Sequence, residues 1–242
     1  MPATFTPQIM LSQSFFSHLN ELRDRAIKSL VTFTVATLII WNFLDPVIRY
    51  VVKPVGRIVF TSPEEAFGAR MTLAMTGGFL FALPVILYHL WKFIALGLSD
   101  NERRYIKIFG PLSLFFFFAG SAFGYFVLLP ISLNFLLSFS STWMVPMITV
   151  DKYISYVGTI IIGSGVTFEL PLVLGFLARI GIATPEFLRQ KRRYAYVIIL
   201  IVAAILTPPD VVSQMILTIP LVVLYELGIF FSQLAQTKKS LP

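Results

Sequence analysis

Glu169 is a carboxylate in the middle of a membrane-grade apolar stretch, IIGSGVTFELPLVLGF at residues 161–176. Ionisable side chains cost roughly 2.5 to 3.5 kcal/mol at a bilayer centre on insertion scales, so such a residue predicts a function by default. Its chemistry could be that of a proton carrier or relay. The alternative is a protonated carboxyl that is hydrogen-bonded inside the helix bundle, to Thr167 or to another helix. Glu226, in a later apolar run, is a weaker case of the same kind.

Two further carboxylates lie beside arginines at the edges of apolar runs. Glu21 precedes Arg25 by four residues, which is the spacing of an ordinary ion pair on one helix face. Glu102 lies in the run SDNERRY, where a solvated loop charge is the simplest interpretation. Neither residue predicts a site by its position alone.

Several kinds of chemistry are excluded by the residues that the sequence lacks. It contains no cysteine, which excludes disulfides, thiolate metal sites and cysteine nucleophiles. Its two histidines, His18 and His89, are too far apart for a convincing metal site. No glycine-rich phosphate loop, HExxH or GxSxG motif occurs. We therefore expect no catalytic residues, no metal and no cofactor.

Composition indicates the environment in which these carboxylates lie. The 242 residues are 57% hydrophobic and only 13% charged, and their mean hydropathy is +0.82. A soluble domain is about 45 to 50% apolar and about 25% charged. The chain is therefore predicted to be an all-α integral membrane protein that forms one domain over residues 1–242.

Six apolar runs are candidates for transmembrane helices, each needing about 20 residues. They are residues 26–44, 71–95, 108–133, 153–178, 194–207 and 211–231. The fifth run is short, and the sixth is interrupted by Pro220 and Glu226. The turn TPPD at 207–210 separates them, so we expect two short last helices that form a shallow hairpin and thin the bilayer. Before the first span, apolar residues at helical spacing predict an interfacial amphipathic helix.

The basic residues predict the orientation of the bundle. Thirteen Lys and Arg flank the spans on the side of the termini, and five lie on the other side. By the positive-inside rule, both termini are cytoplasmic. The net charge of +7 comes from these patches between apolar runs, which argues against a nucleic-acid partner.

Two connections on the side opposite the termini are longer than simple turns. Residues 45–70 and 134–152 form these connections, and long irregular loops in compact proteins tend to be functional. Glycines in IIGSGVTF and FFAGSAFGYF predict close helix packing. No internal repeat is visible, which weakens the hypothesis of a secondary transporter built from inverted halves.

Eight motifs in order along the chain resemble those of the TatC family, the multispanning subunit of the twin-arginine protein translocase. They are HLNELRDR at 18–25, FTSPEEAF at 60–67, PVILYHLWKFI at 84–94, NERRY at 101–105, FGYFVLLP at 123–130, FELP at 168–171, GIATPEFLRQKRRY at 181–194 and LTPPD at 206–210. Each motif is weak alone, but their order and spacing over six spans are specific.

The resemblance implies that the protein recognises signal peptides carrying two consecutive arginines. The family's two signal-binding glutamates correspond to Glu21 and Glu102. Their neighbours by the same correspondence are His18, Leu22, Arg23, Phe93 and Arg103. A guanidinium offers a rigid fork that suits carboxylates, and lysine does not reproduce that geometry.

The resemblance also implies a concave bundle in a bacterial-type plasma (inner) membrane, with the proton motive force driving the transport of folded proteins. Glu169, together with Thr207 and Asp210 of the TPPD turn, would dock single-span partners of the TatA and TatB types. Pro54 would belong to an outer cap tied to assembly. Self-association in a multimeric receptor complex is expected as well.

Three classes of function compete at this point. A receptor and assembly platform explains the edge carboxylates and the two long outer connections. A proton-coupled transporter of small solutes explains Glu169 but gives no reason for Glu21 or Glu102. An intramembrane enzyme lacks any pair of nucleophile and base. The receptor is the leading hypothesis.

Overall fold

The computed structural model describes residues 7–56, 58–98 and 100–237, without the side chains of residues 7–18, 100–102, 104–105 and 234–237. Regular secondary structure in these ranges is helical, apart from two isolated bridges. The helices are α1 (Pro7–Trp41), α2 (Leu44–Val52), α3 (Pro63–Leu96), α4 (Asp100–Phe123), a π-helical turn (Gly124–Leu128), α5 (Leu129–Leu137), α6 (Val150–Phe168), α7 (Leu170–Arg179), α8 (Pro185–Gln190), α9 (Arg192–Leu206) and α10 (Val211–Thr237). The all-α class predicted from the sequence is confirmed.

Each of the six predicted spans corresponds to helix. Four continuous helical segments are long and apolar enough to cross a membrane: Pro63–Leu96, Ile106–Leu137, Val150–Arg179 and Val211–Gln233. The first span, Leu19–Trp41, passes the same test together with α2, from which it is bent by 79°. The fifth, α9, has 15 residues and reaches only about 22 Å across a core about 30 Å thick. A short fifth helix is thus confirmed.

The beginning of the chain differs from the prediction. In place of a separate interfacial helix, α1 runs without a break from Pro7 to Trp41, over 35 residues. No proline or glycine occurs between residues 8 and 41, so nothing in the backbone chemistry stops the helix at the membrane edge. The amphipathic stretch is therefore a rigid extension of the first span.

The end of the chain differs as well. Helix α10 has 27 residues, so it is longer than the short last helix that we expected over residues 211–231. It continues through Pro220 and through Glu226, whose carboxylate is paired with Arg192 of α9. Glutamate is a good helix former, so a single carboxylate does not end a helix. Only one helix of the last hairpin is short.

Small residues bring α4 and α6 into close contact. A Cβ atom added to Gly120 would lie 2.5 Å from the carbonyl oxygen of Ser164, and one added to Gly165 would lie 2.6 Å from Ser121 Oγ. Ser121 Oγ also donates a hydrogen bond to the carbonyl of Ile161 at 3.1 Å. The predicted role of these glycines in helix packing is confirmed.

The two long connections meet on the side opposite the termini. Val59 N donates to the carbonyl of Ile148 at 3.0 Å, and Val150 N donates to the carbonyl of Val59 at 2.8 Å. Helix α2 is tied to α3 by Asp45 and Arg70, whose charged atoms are 2.9 Å apart. These contacts join both connections into one outer layer over the bundle.

Candidate functional site

Glu21 lies on α1 and forms an ion pair with Arg25, one helical turn later. The pair that the i,i+4 spacing predicted is therefore present. It is unequal, because the Arg25 side chain is 9% exposed and that of Glu21 is 42% exposed. Arg25 Nη2 contacts Oε1 of the Glu21 carboxylate. A buried cation thus holds a carboxylate whose other side remains accessible.

The packing of α1 on α3 fixes the level at which this pair lies. The two helices run antiparallel, with Thr37 of α1 against Gly78 of α3, where an added Cβ would collide with the threonine. Arg25 lies twelve residues before Thr37 on α1, and His89 lies eleven residues after Gly78 on α3. These two residues are near enough for Arg25 to act electrostatically on His89. The register is therefore constant along the helix pair.

The same register places Glu21 level with Phe93, near the end of α3. Phe93 is half-buried there. Arg103, from the first turn of α4, donates from Nε to the carbonyl of Ala95 at 3.2 Å. A cation at a helix C-terminus is favourable because it offsets unpaired carbonyls and the helix dipole. Glu21, Phe93 and Arg103 consequently lie at the same end of the bundle.

The other predicted neighbours of Glu21 differ in their placement. Leu22 is exposed on α1. Arg23 makes an exposed ion pair with Asp24, at 3.2 Å, and does not pair with Glu21. His18 and Glu102 belong to helices α1 and α4, but their side chains lie outside the described residues. Pairing of Glu21 with Glu102 around one ligand therefore stays a prediction.

Glu169 lies at the break between α6 and α7. Helix α6 ends at Phe168, and α7 begins at Leu170 with Pro171 in its first turn. A proline is tolerated there because its missing N–H would have no helical acceptor. The carbonyl of Glu169 accepts from Leu172 N and Val173 N, both at 3.0 Å. Helix α6 therefore passes into α7 beside the carboxylate, within one continuous span from Val150 to Arg179.

The side chain of Glu169 has a partner from another helix. Ser113 of α4, which is 1% exposed, donates from Oγ to Glu169 Oε1 at 2.9 Å. Thr167, the neighbour that the sequence offered as a partner, instead donates to the carbonyl of Ser164 at 3.0 Å. Glu169 itself is only half-buried. A carboxyl group has more acceptor positions than this one bond uses, so Glu169 can accept a further donor.

Thr207 and Asp210 have structural partners in the last hairpin. Thr207 Oγ1 donates to the carbonyl of Ala203 at 2.9 Å, at the end of α9. Asp210 Oδ1 accepts from Ser213 N at 2.7 Å, and its other oxygen contacts Ser213 Oγ. An acidic side chain that accepts from the third residue ahead is an N-cap. These residues shape the tight turn, and their predicted role in docking is untested.

Pro54 lies in the exposed turn that follows α2. Val55 N and Gly56 N both donate to the carbonyl of Val52, at 3.0 and 3.1 Å. Gly56 has a φ of +79°, a left-handed conformation that favours glycine. Pro54 is thus part of the outer layer, at a rigid corner.

One charged cluster was not predicted. Glu226 of α10 accepts from Arg192 Nη2 at 2.6 Å and from Tyr196 Oη at 2.7 Å, both on α9. Tyr225 donates to the carbonyl of Leu188 at 2.9 Å, which ties α8 to α10. The partners are 30 and 34 residues apart, so no local spacing reveals them. The only available indication was one carboxylate in an apolar run and one basic run before it.

Comparison with known proteins places this arrangement in a family. The family profile described as "Sec-independent protein translocase protein (TatC)" matches residues 17–220. A protein of Carboxydothermus hydrogenoformans named Sec-independent protein translocase protein TatC is 37% identical over 231 residues, covering 93% of this chain and 95% of the relative. The protein TatCd of Bacillus subtilis is 34% identical over 223 residues, covering 92% of each chain.

A solved structure is similar over almost its whole length. It is a crystal structure of the twin-arginine translocase receptor TatC, with a TM-score of 0.80 and 36% sequence identity. The match covers 90% of this chain and 99% of the solved one. Fold and sequence therefore agree on the same relatives.

Proposed function

The chain belongs to the TatC family of Sec-independent protein translocase proteins, and on that basis we propose how it serves the translocase. As a member, it is a multi-pass membrane protein and a transport component rather than an enzyme. Our proposal is that it binds twin-arginine signal peptides at the cytoplasmic end of α1 and α4. It also assembles with single-span partners of the TatA and TatB types to move folded proteins across the membrane.

The observation that carries the proposal is the unequal ion pair of Glu21 and Arg25. Arg25 is buried and fixes one oxygen of a carboxylate that is otherwise accessible. A fixed carboxylate suits a guanidinium, which donates two parallel hydrogen bonds from a rigid fork. A lysine is a strongly hydrated point charge and gains less from such an orientation. Discrimination between arginine and lysine is therefore the property that this site supports.

The end of the bundle also supplies an apolar surface beside the carboxylate. Leu22 is exposed next to Glu21, and Phe93 lies at the same level on α3. A signal peptide has a basic region followed by an apolar one, so contacts of both kinds favour the same ligand. Glu102 is proposed as the second carboxylate because it lies in the first turn of α4, next to Arg103.

Glu169 is proposed as a contact for a partner's transmembrane helix. Its carboxyl group is half-buried, and Ser113 occupies only one of its oxygens. A polar side chain on a partner helix could donate to Glu169, and such hydrogen bonds contribute about 0.6 to 2 kcal/mol in membranes. Thr207 and Asp210 would act alongside by keeping the last hairpin short, and Pro54 by shaping the outer layer in a multimeric complex. The transmembrane proton gradient would drive transport.

Photo-cross-linking tests the recognition of arginine. A photo-reactive residue is placed at Leu22, so that Glu21 stays intact, and the protein is incubated in membranes with a twin-arginine signal peptide or with its twin-lysine version. We expect the twin-arginine peptide to be captured several times more efficiently. Glu21→Gln should remove most of the difference, because a neutral amide lacks the charge of the carboxylate.

A probe at Trp143, on the opposite side of the bundle, is the control and should capture neither peptide. Equal capture of both peptides at Leu22 would contradict the proposal. If solute flux is found instead, and is lost in Glu169→Ala while capture persists, the transporter hypothesis gains the advantage.

A further inference from the structure

A groove between α3 and α4 has the features of a lipid site. Its volume is about 500 Å³, and its walls are mostly apolar, including Leu87, Trp91, Pro111 and Leu114. On each helix it extends over twelve residues, from Pro84 to Ala95 and from Arg103 to Leu114, which is a rise of about 16 Å. That length is about half of a hydrocarbon core about 30 Å thick, so the groove spans a single leaflet.

Cations gather at one end of the groove. Lys92, Arg103 and Lys107 line its half nearest the connection between α3 and α4, and all three are exposed. By the positive-inside rule, this connection is cytoplasmic, so the cations lie at the depth of the lipid headgroups. Lysine and arginine near helix ends extend their charged groups to that interface.

Local contacts hold two of these cations over the groove. Lys92 Nζ lies 3.4 Å from Tyr88 Oη, to which it donates, and 5.5 Å from the centre of the same ring. Arg103 bridges the groove from α4 to the carbonyl of Ala95 on α3. Trp91, at the base of the groove, is fixed by rings of Phe109 and Phe176 at 5.6 and 5.2 Å. The site is therefore shaped before any ligand arrives.

We propose that this groove binds one anionic phospholipid of the cytoplasmic leaflet, with an acyl chain along α3 and α4 and its phosphate among Lys92, Arg103 and Lys107. No carboxylate occurs among the described residues that line it, so an anion is favoured. The same charges make the groove unfavourable for the paired arginines of a signal peptide, which we place at Glu21 and not between Lys92 and Lys107. Basic pockets between transmembrane helices on this side of a membrane are the usual sites of anionic headgroups.

Quenching of Trp91 fluorescence tests the proposal. Trp41→Phe and Trp143→Phe leave Trp91 as the only tryptophan, since the chain has three. The protein is placed in phosphatidylcholine bilayers that contain rising fractions of phosphatidylglycerol with brominated acyl chains. We expect quenching to saturate at a low fraction of brominated phosphatidylglycerol, and brominated phosphatidylcholine to quench less at every matched fraction.

Two charge variants separate the groove from general electrostatics. Lys92→Gln with Lys107→Gln should raise the half-saturating fraction about 30-fold, at about fivefold per lysine near a membrane surface. Lys28→Gln with Lys191→Gln removes the same charge on the same side outside the groove and should leave the fraction unchanged. Bromine on the acyl chain reports a lipid and not free phosphate.

Native mass spectrometry provides a second measurement on the unmodified chain. We expect one phosphatidylglycerol molecule to survive detergent extraction, and to be lost in the variant at Lys92 and Lys107 but not in the control. Equal quenching by both brominated lipids, or equal effects of both variants, would overturn the proposal. The proposal would also be overturned if a signal peptide, and not the lipid, occupied the groove and shielded Trp91 from quenching by brominated lipid.

Discussion

At the scale of single residues, Arg25 is the group that defines the candidate site. Its charge is buried while that of Glu21 is half-exposed. The arginine therefore orients the carboxylate, and the glutamate offers that carboxylate to a ligand. Burying a guanidinium is costly unless it is paired, which makes the pair a fixed feature of α1. We propose that Arg25 serves to orient Glu21 and does not compete with a ligand for it.

Replacing Arg25 should therefore weaken arginine recognition, although Glu21 would lose a competing cation. We expect Arg25→Gln to lower cross-linking of a twin-arginine peptide at Leu22 several-fold and to reduce its preference over the twin-lysine peptide. Lys28→Gln removes one exposed charge a turn later on α1 and should have little effect. Tighter capture by Arg25→Gln would mean that Arg25 acts as a competitor for Glu21.

Glu169 is expected to act on a different partner. In Glu169→Ala, association with a single-span partner should weaken about 3- to 30-fold, the equivalent of one hydrogen bond in a membrane. Capture of a signal peptide at Leu22 should stay unchanged, because Glu169 contacts Ser113, which lies about 15 Å along α4 from Arg103. Co-purification of the partner from membranes measures the change.

Glu169→Gln is the matched control, since an amide can still accept from Ser113 and bond to a partner. It should retain most of the association. If Ala and Gln variants both keep the partner, the role of Glu169 is confined to the bond that joins α6–α7 to α4.

At the scale of elements, sequence patterns predicted what local chemistry determines. The glycines predicted close helix packing, which the structure places between α4 and α6. The length of α10 was not predicted, because Pro220 and Glu226 were taken to interrupt an apolar run through which the helix continues. The continuity of α1 was not predicted. A helix that leaves the membrane passes into a different environment, but its backbone conformation need not change there.

At the candidate site, too, local features were predictable from the sequence and tertiary contacts were not. The spacing of Glu21 and Arg25 predicted their ion pair, but not which member is buried, because burial depends on α3 packing against α1. Ser113 could not be identified as the donor to Glu169, since 56 residues separate them. Motif resemblance supplied the functional residues, and tertiary packing supplied their partners.

The turn between α9 and α10 allows a test at this scale. Asp210→Ala removes the N-cap of α10 and should destabilise the protein by about 1 kcal/mol. Asp210→Asn is the control, because an asparagine oxygen can still accept from Ser213 N. Thermal unfolding of the detergent-solubilised protein measures both. Equal midpoints for the Ala variant and the unmodified chain would show that the turn does not depend on this cap.

At the scale of the whole molecule, charge and packing give the two faces of the bundle different roles. The charge pattern predicts thirteen basic residues on the cytoplasmic side, and Glu21 is an anionic position at the same end of the bundle. The outer face is instead closed by backbone bonds between Val59 and residues 148–150 and by a bond from Tyr153 Oη to the carbonyl of Val51, at 2.7 Å. The proposed recognition site thus lies on the charged side, and the outer layer joins the helices on the other side.

The orientation of α10 in the membrane depends on whether α9 crosses it, and α9 is the shortest of the six predicted spans. With 15 residues it falls about 8 Å short of the hydrocarbon core, so the bilayer must thin around it. If α9 crosses, its two ends lie on opposite sides of the membrane. If it does not cross, both of its ends lie on the cytoplasmic side, and α10 would carry the chain to the outer side.

Single cysteines distinguish these arrangements, since the chain has none of its own. Pro209→Cys, in the exposed part of the turn after α9, should react with a membrane-impermeant maleimide added outside intact cells. Lys191→Cys, just before α9, should react only after the membrane is permeabilised. Trp143→Cys, in the outer layer, is the control for outside labelling. Protection of Pro209→Cys together with Lys191→Cys would show that α9 stays on the cytoplasmic side, because a crossing helix cannot hide both of its ends from the outside.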